Sequence, residues 1–238
     1  DGEVVLYHDR SLQRLTGDPR NVRDLTREEL QSFDVGSWFG DAFVGERIPT
    51  LDETLQAVRG RSALMIDMKP DPGGELALVE AVLESIEREA AAREQCLDML
   101  SPAQSSTRCG NPDVISETRV AVMSPAVVRM VKEREPELRV TLLAQLVMPG
   151  TLERRGFDAL GLRHNRITNN EIRLARELGY EVHAWTVNDR ARMSQMIDLG
   201  VDAIITDYPD LLAELMRDRR ELSDGALLLV KLRNWLRT

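Results

Sequence analysis

What the chain lacks narrows its identity first. Its 238 residues hold two cysteines, three histidines and only 4% aromatic side chains. Two thiols, Cys96 and Cys109, do not make a disulfide framework in a chain this long, and they read as buried or spectator cysteines. No CxxC pair and no His/Cys cluster occurs, so nothing suggests a zinc site. No apolar run approaches the ~20 residues that a membrane span needs. Nothing reads as a signal peptide. The chain opens on Asp1-Gly2 and not on methionine, so it is expected to be a processed or trimmed piece. Its compartment stays open. Acidic residues, 40 in all, outnumber the 31 Lys and Arg. The net charge is −9, which argues against nucleic acid or anionic lipid as a partner held by bulk electrostatics. A small anionic substrate remains possible, because a metal or a few local Lys and Arg can reverse the field inside one pocket.

What is present reads as an ordinary globular chain, 42% apolar and 30% charged. Val4-Val5-Leu6-Tyr7 predicts a short buried strand. It ends abruptly in His8-Asp9-Arg10, and a histidine with a carboxylate at a strand exit suits acid–base chemistry. Residues 10–24 read as a loop. Thr26-x-x-Glu29 and Thr50-x-x-Glu53 are capping boxes that open two helices. Between them Gly36-Ser37-Trp38-Phe39-Gly40 sets adjacent aromatics between glycines, either as a tucked loop or as an apolar wall beside a substrate. Ala63–Pro70 predicts a second strand. Its Asp67 and Lys69 are two apart and so share a side. Two such charges are costly there unless they pair or hold a ligand.

Residues 75–92 predict a long helix with Leu76, Val79, Val82, Leu83 and Ile86 on one stripe. Residues 94–118 are less legible, with Cys96–Leu100 as a possible strand. From Arg119 the alternation turns regular. Strands are expected at 119–123, 140–143, 157–162, 181–187 and 203–206. Helices are expected between them, after Ser124-Pro125, at 169–178, at 189–199 and at 210–219. Strands separated by helices imply βαβ units and a parallel sheet. The later strands end in polar residues, His164-Asn165, Thr186-Asn188 and Thr206-Asp207, which in a βα barrel gather around one opening. Residues 222–238 read as an amphipathic helix covering the wall.

Five segments in order resemble the glycerophosphodiester phosphodiesterase family. They are Asp1-Gly2 with Val4-Val5-x-x-His8-Asp9 and Arg14-Leu15-Thr16-Gly17; Gly36-Ser37-Trp38-Phe39 with Gly45-Glu46-x-Ile48-Pro49-Thr50-Leu51; Ile66-Asp67-Met68-Lys69; Val182-His183-Ala184-Trp185-Thr186-Val187-Asn188; and Gly200-Val201-Asp202-Ala203-Ile204-Ile205-Thr206-Asp207. The likeness implies an α/β fold, a (β/α)8 TIM barrel over residues 1–221 with the tail 222–238 outside it. It implies metal-dependent hydrolysis of a glycerophosphodiester to an alcohol and glycerol 3-phosphate, with Mg or Ca as the divalent metal. It makes His8 an acid–base residue and Asp67 a metal ligand. It sets Lys69 against the phosphate and Trp185 on the glycerol or leaving-group side. A carboxylate suits such a hard cation, and a Lys would neutralise charge building on the phosphate oxygens.

Two features depart from the family pattern. The family carries a second histidine in an HRG motif and a Glu-x-Asp pair, and neither segment occurs here. The chain is therefore expected to lack roughly the first two strands of the barrel and to be weak or inactive alone. Asp67 stands where the family has Glu, about one C–C bond shorter. His164 is read as a satisfied loop histidine. A membrane domain upstream, as in some similar proteins, would leave the barrel tethered; otherwise it would be cytoplasmic. Alternative readings are a related barrel acting on a lysophospholipid or phosphoinositide, and a non-catalytic barrel remnant that binds. Nucleic acid is not an expected partner.

Overall fold

The computed structural model describes residues 2–99, 109–144 and 156–235. The chain forms two compact units. One is Asp1–Met65 with Pro70–Thr118; the other is Ile66–Lys69 with Arg119–Thr238.

The first unit is irregular at its start. Val4–Tyr7 is not a sheet strand. Val5 makes one isolated antiparallel bridge with Thr50, and Leu6 N–H donates to the Pro49 carbonyl at 2.9 Å. Only short backbone segments meet there, so the apolar run anchors the chain without building a ladder. Leu12, Leu25, Leu30 and Ile48 close a small core, with Val5 and Tyr7 packed against it. Helices α1 (Gln13–Thr16), α2 (Arg27–Leu30) and α3 (Leu51–Val58) follow. Both predicted capping boxes form. Thr26 and Thr50 each accept from the backbone N–H three residues on, and Glu29 and Glu53 reach back to the cap N–H.

Helix α4 runs Glu75–Met99, which absorbs the strand expected from Cys96. Its buried stripe of Val79, Val82, Leu83 and Ile86 continues to Glu89 and Arg93, so helical period wins over a short apolar patch. The buried Glu89 accepts from Arg59 and Arg93, and Arg93 also reaches Glu117 and the Asn111 carbonyl. The cysteines correct the sequence reading. Cys96 and Cys109 are joined in a disulfide, with Cα atoms 5.5 Å apart. Counting thiols could not reveal that the end of α4 and Cys109, near the start of α5 (Val114–Glu117), meet in space. Leu100 and residues 101–108 lie outside the described residues.

The second unit holds most of the sheet. Six parallel strands lie in the order β1 (Leu64–Asp67), β2 (Thr118–Val122), β3 (Arg139–Ala144), β4 (Ala159–Arg163), β5 (Glu181–Trp185) and β6 (Ala203–Ile204). The connecting helices are α6 (Pro125–Arg134), α7 (Asn169–Glu177), α8 (Arg190–Leu199) and α9 (Pro209–Glu221). Ser124 caps α6 with Pro125 in its first turn, as the sequence indicates.

Side-chain alternation divides the sheet into two faces. Val120, Val122, Val140, Leu142, Leu160, Leu162, Val182 and Ala184 are buried on one. Helices α6 and α7 pack on β3 and β5 there. Each fully buried Val or Leu stabilises the layer by roughly 1.5–3 kcal/mol. The register places Arg119, Thr141, Gly161, Arg163, Glu181, His183 and Trp185 on the opposite, inner face. Helix α10 (Asp224–Trp235) packs on α8, while its Leu228, Leu229 and Leu232 stay exposed. Its buried Asn234 donates to Ser194 at 3.0 Å and to Asp198 at 2.6 Å. No helix among the described residues is long and apolar enough to cross a membrane.

Candidate active site

The inner face carries polar side chains at both ends of its strands. At the amino ends, Glu181 accepts from Arg119 at 2.9 Å and from Arg139. Burial alone would raise the Glu181 carboxyl, but the Arg139 hydrogen bond and the Arg119 charge outweigh it and hold it low. The buried His183 lies above. One ring nitrogen meets Glu181 at 3.2 Å and the other meets Thr141 Oγ1 at 3.3 Å. Burial, aided by Arg119, pushes the His183 imidazolium down. A neutral ring with Nε2–H donating to Glu181 and Nδ1 accepting from Thr141 satisfies all three groups. His183 is therefore a structural residue.

At the carboxyl ends stand the residues expected to carry chemistry. Met68 is buried and its N–H donates to the Ala121 carbonyl at 2.9 Å. That places Met68 on the helix-covered face and turns Asp67 and Lys69 to the inner one. Lys69 Nζ donates to the Asp67 carboxylate, and both side chains remain about two-fifths exposed, 39% and 45%. Trp185 ends β5, four strands away. Its indole N–H is buried without a partner among the described residues. Gly161 makes room for it. A Cβ at Gly161 would come within 2.5 Å of Leu143 and 3.5 Å of the Trp185 ring.

His8 belongs to the first unit. Its Nδ1 donates to Asp9 at 2.7 Å, and Asp9 also accepts from Arg14 at 2.5 Å. The Arg14 hydrogen bond, then that of His8, holds the Asp9 carboxyl below its usual range. The ring is 75% exposed, and Nε2 has no protein partner among the described residues. This is an imidazole fixed by a carboxylate on one nitrogen and open on the other, the form a general acid or base takes. His164 is engaged: its Nδ1 accepts from Arg192 at 3.1 Å, and burial with the nearby Arg192 and Arg163 charges holds it down.

The Trp38–Phe39 loop also lies in the first unit. Asp34 ties it by accepting from Gly36, Ser37 and Gly45 at 2.7–2.9 Å. Trp38 and Phe39 stack edge to face and are 59% and 66% exposed, so they are not tucked away. Gly36 is required there, since a Cβ would strike the Phe43 carbonyl at 2.0 Å.

The divalent metal finds an incomplete set. Among the described residues no group of three or more His, Cys, Asp or Glu could hold an ion. Asp67 is one carboxylate, already paired with Lys69, against the about six to eight oxygens that Ca2+ takes. Sequence reading missed Arg163. Its guanidinium carbon lies 5.4 Å from the Trp185 ring centroid. The only signal was its place at the end of its strand, the same rank that Trp185 holds on β5.

Parallel βα units, with helices on one face and charged side chains at the carboxyl ends of the strands on the other, define a (β/α)-barrel enzyme class. The solved phosphodiesterase of Oleispira antarctica, in complex with the product sn-glycerol-3-phosphate, shares the fold with a TM-score of 0.75 at 22% identity, over 91% of this chain and 81% of that one. The chain belongs to the glycerophosphoryl diester phosphodiesterase family, whose model matches residues 1–211. A glycerophosphodiester phosphodiesterase of Caldanaerobacter subterraneus is 31% identical over 91% of this chain and 82% of its own length. The YhdW protein of Bacillus subtilis is 29% identical over 89% of this chain and 80% of its own.

Proposed function

We propose that this chain hydrolyses glycerophosphodiesters to an alcohol and glycerol 3-phosphate. The observation that carries the reading is the family match over residues 1–211, with the Asp67–Lys69 pair and Trp185 on one sheet face. Water attacks phosphorus, the bond from phosphorus to the alcohol oxygen breaks, and that oxygen takes a proton. His8, held by Asp9, is the group suited to move the proton. Lys69 supplies positive charge to the equatorial oxygens. Trp185 walls the organic part of the substrate. Asp67 is the described residue at the position of a metal carboxylate, and no step here runs through a metal.

Turnover of glycerophosphocholine by the full chain tests the reading. H8A and K69A are each expected to cut kcat about 100-fold or more while circular dichroism stays unchanged. Full activity in both variants would overturn the assignment.

A further inference from the structure

Arg163 is the one cation on the inner face that no carboxylate engages among the described residues. Arg119 and Arg139, on the same face, both bind Glu181. Lys69 binds Asp67. Arg163 has only the Trp185 ring, and it is exposed at the carboxyl end of β4. A ring face attracts the cation without using an N–H, so the guanidinium keeps its fork of donors. The register pairs Arg163 directly with Trp185, so the ring that walls the organic part of a substrate carries a positive fork beside it. The buried indole N–H, without a partner among the described residues, adds a donor at the same place.

We propose that Arg163, held over Trp185, is a specificity-determining residue that recognises a carboxylate on the leaving alcohol. This rests on the hydrolytic reading above. The diester phosphate is assigned to Lys69, three strands away, and glycerol carries no charge. A second anion at Arg163 must therefore belong to the alcohol. A planar carboxylate matches the guanidinium fork in two parallel hydrogen bonds. The substrate class is a glycerophosphodiester of a hydroxy acid or hydroxy amino acid.

Glycerophosphoserine and glycerophosphoethanolamine test this, because they differ by one carboxylate. The unaltered chain should turn over the serine compound with a kcat/KM roughly 10- to 100-fold above that of the ethanolamine compound. R163Q should remove that preference, a change that general loss of packing would not produce. R163K should recover only part, since it keeps the charge and loses the fork. Equal loss on both substrates, or no loss on either, overturns the proposal. Calorimetric binding of the same two compounds separates this from the hydrolytic reading. If neither is turned over but the chain binds the serine compound more tightly and R163Q abolishes the difference, carboxylate recognition stands while hydrolysis falls. Equal binding overturns it.

Discussion

Gly161 and His183 show how single inner-face residues shape the sheet mouth. Gly161 faces Leu143 and the Trp185 ring with no space for a methyl group. G161A is expected to cost about 1–3 kcal/mol by overpacking, measured as a lower urea midpoint with unchanged m-value. His183 is buried neutral, with its protonation disfavoured in the folded state. The unfolded chain then binds more protons below about pH 6.5, so stability falls as pH drops through that value. Glu181 is shifted low, so its contribution is present above the usual carboxylate range and is lost only in stronger acid. H183Q should flatten the fall in Tm between pH 6.5 and 5. An unchanged slope would mean that the ring is protonated in the fold.

Among the elements, α4 depends on links that its periodicity does not reveal. The Cys96–Cys109 disulfide ties its last turn to Cys109, beside the Asn111 carbonyl that Arg93 grips. Closing a loop of this size is worth roughly 3 kcal/mol through the unfolded chain. C96S/C109S, or the native chain under reductant, should lose about 2–4 kcal/mol in urea unfolding, and thiol titration of the oxidised chain should find no free cysteine. The same element shows the limit of pattern reading. Its stripe was legible from Val79 to Ile86, whereas Leu76 is exposed and the buried Glu89 and Arg93 continue the stripe with charge. Charged residues there read as a solvated face until Arg59 and Glu117 are seen to meet them.

For the whole molecule, charge sets the approach of substrate. A net −9 repels a diester anion at long range, whereas in the proposed site Lys69 and Arg163 would act at contact. Raising salt from about 0.01 to 0.15 M shortens the screening length from roughly 30 to 8 Å and removes the repulsion first. The kcat/KM for a glycerophosphodiester with a neutral alcohol should rise over that range. A steep fall would mean that local cations govern capture.

The sequence by itself determined the strand–helix alternation, the caps at Thr26, Thr50 and Ser124, the parallel sheet and the family. Those follow from local period, capping chemistry and ordered motifs, all of which are written along the chain. It also singled out His8, Asp67, Lys69 and Trp185 by the resemblance. Only the tertiary structure turned Val4–Tyr7 from a strand into a single bridge, joined the two cysteines, paired Lys69 with Asp67 and laid Arg163 over Trp185. Each of these is a pairing, between strands, thiols or side chains. Position along the chain leaves pairing open, because the energy of a contact depends on distance in space and on which groups burial leaves without water.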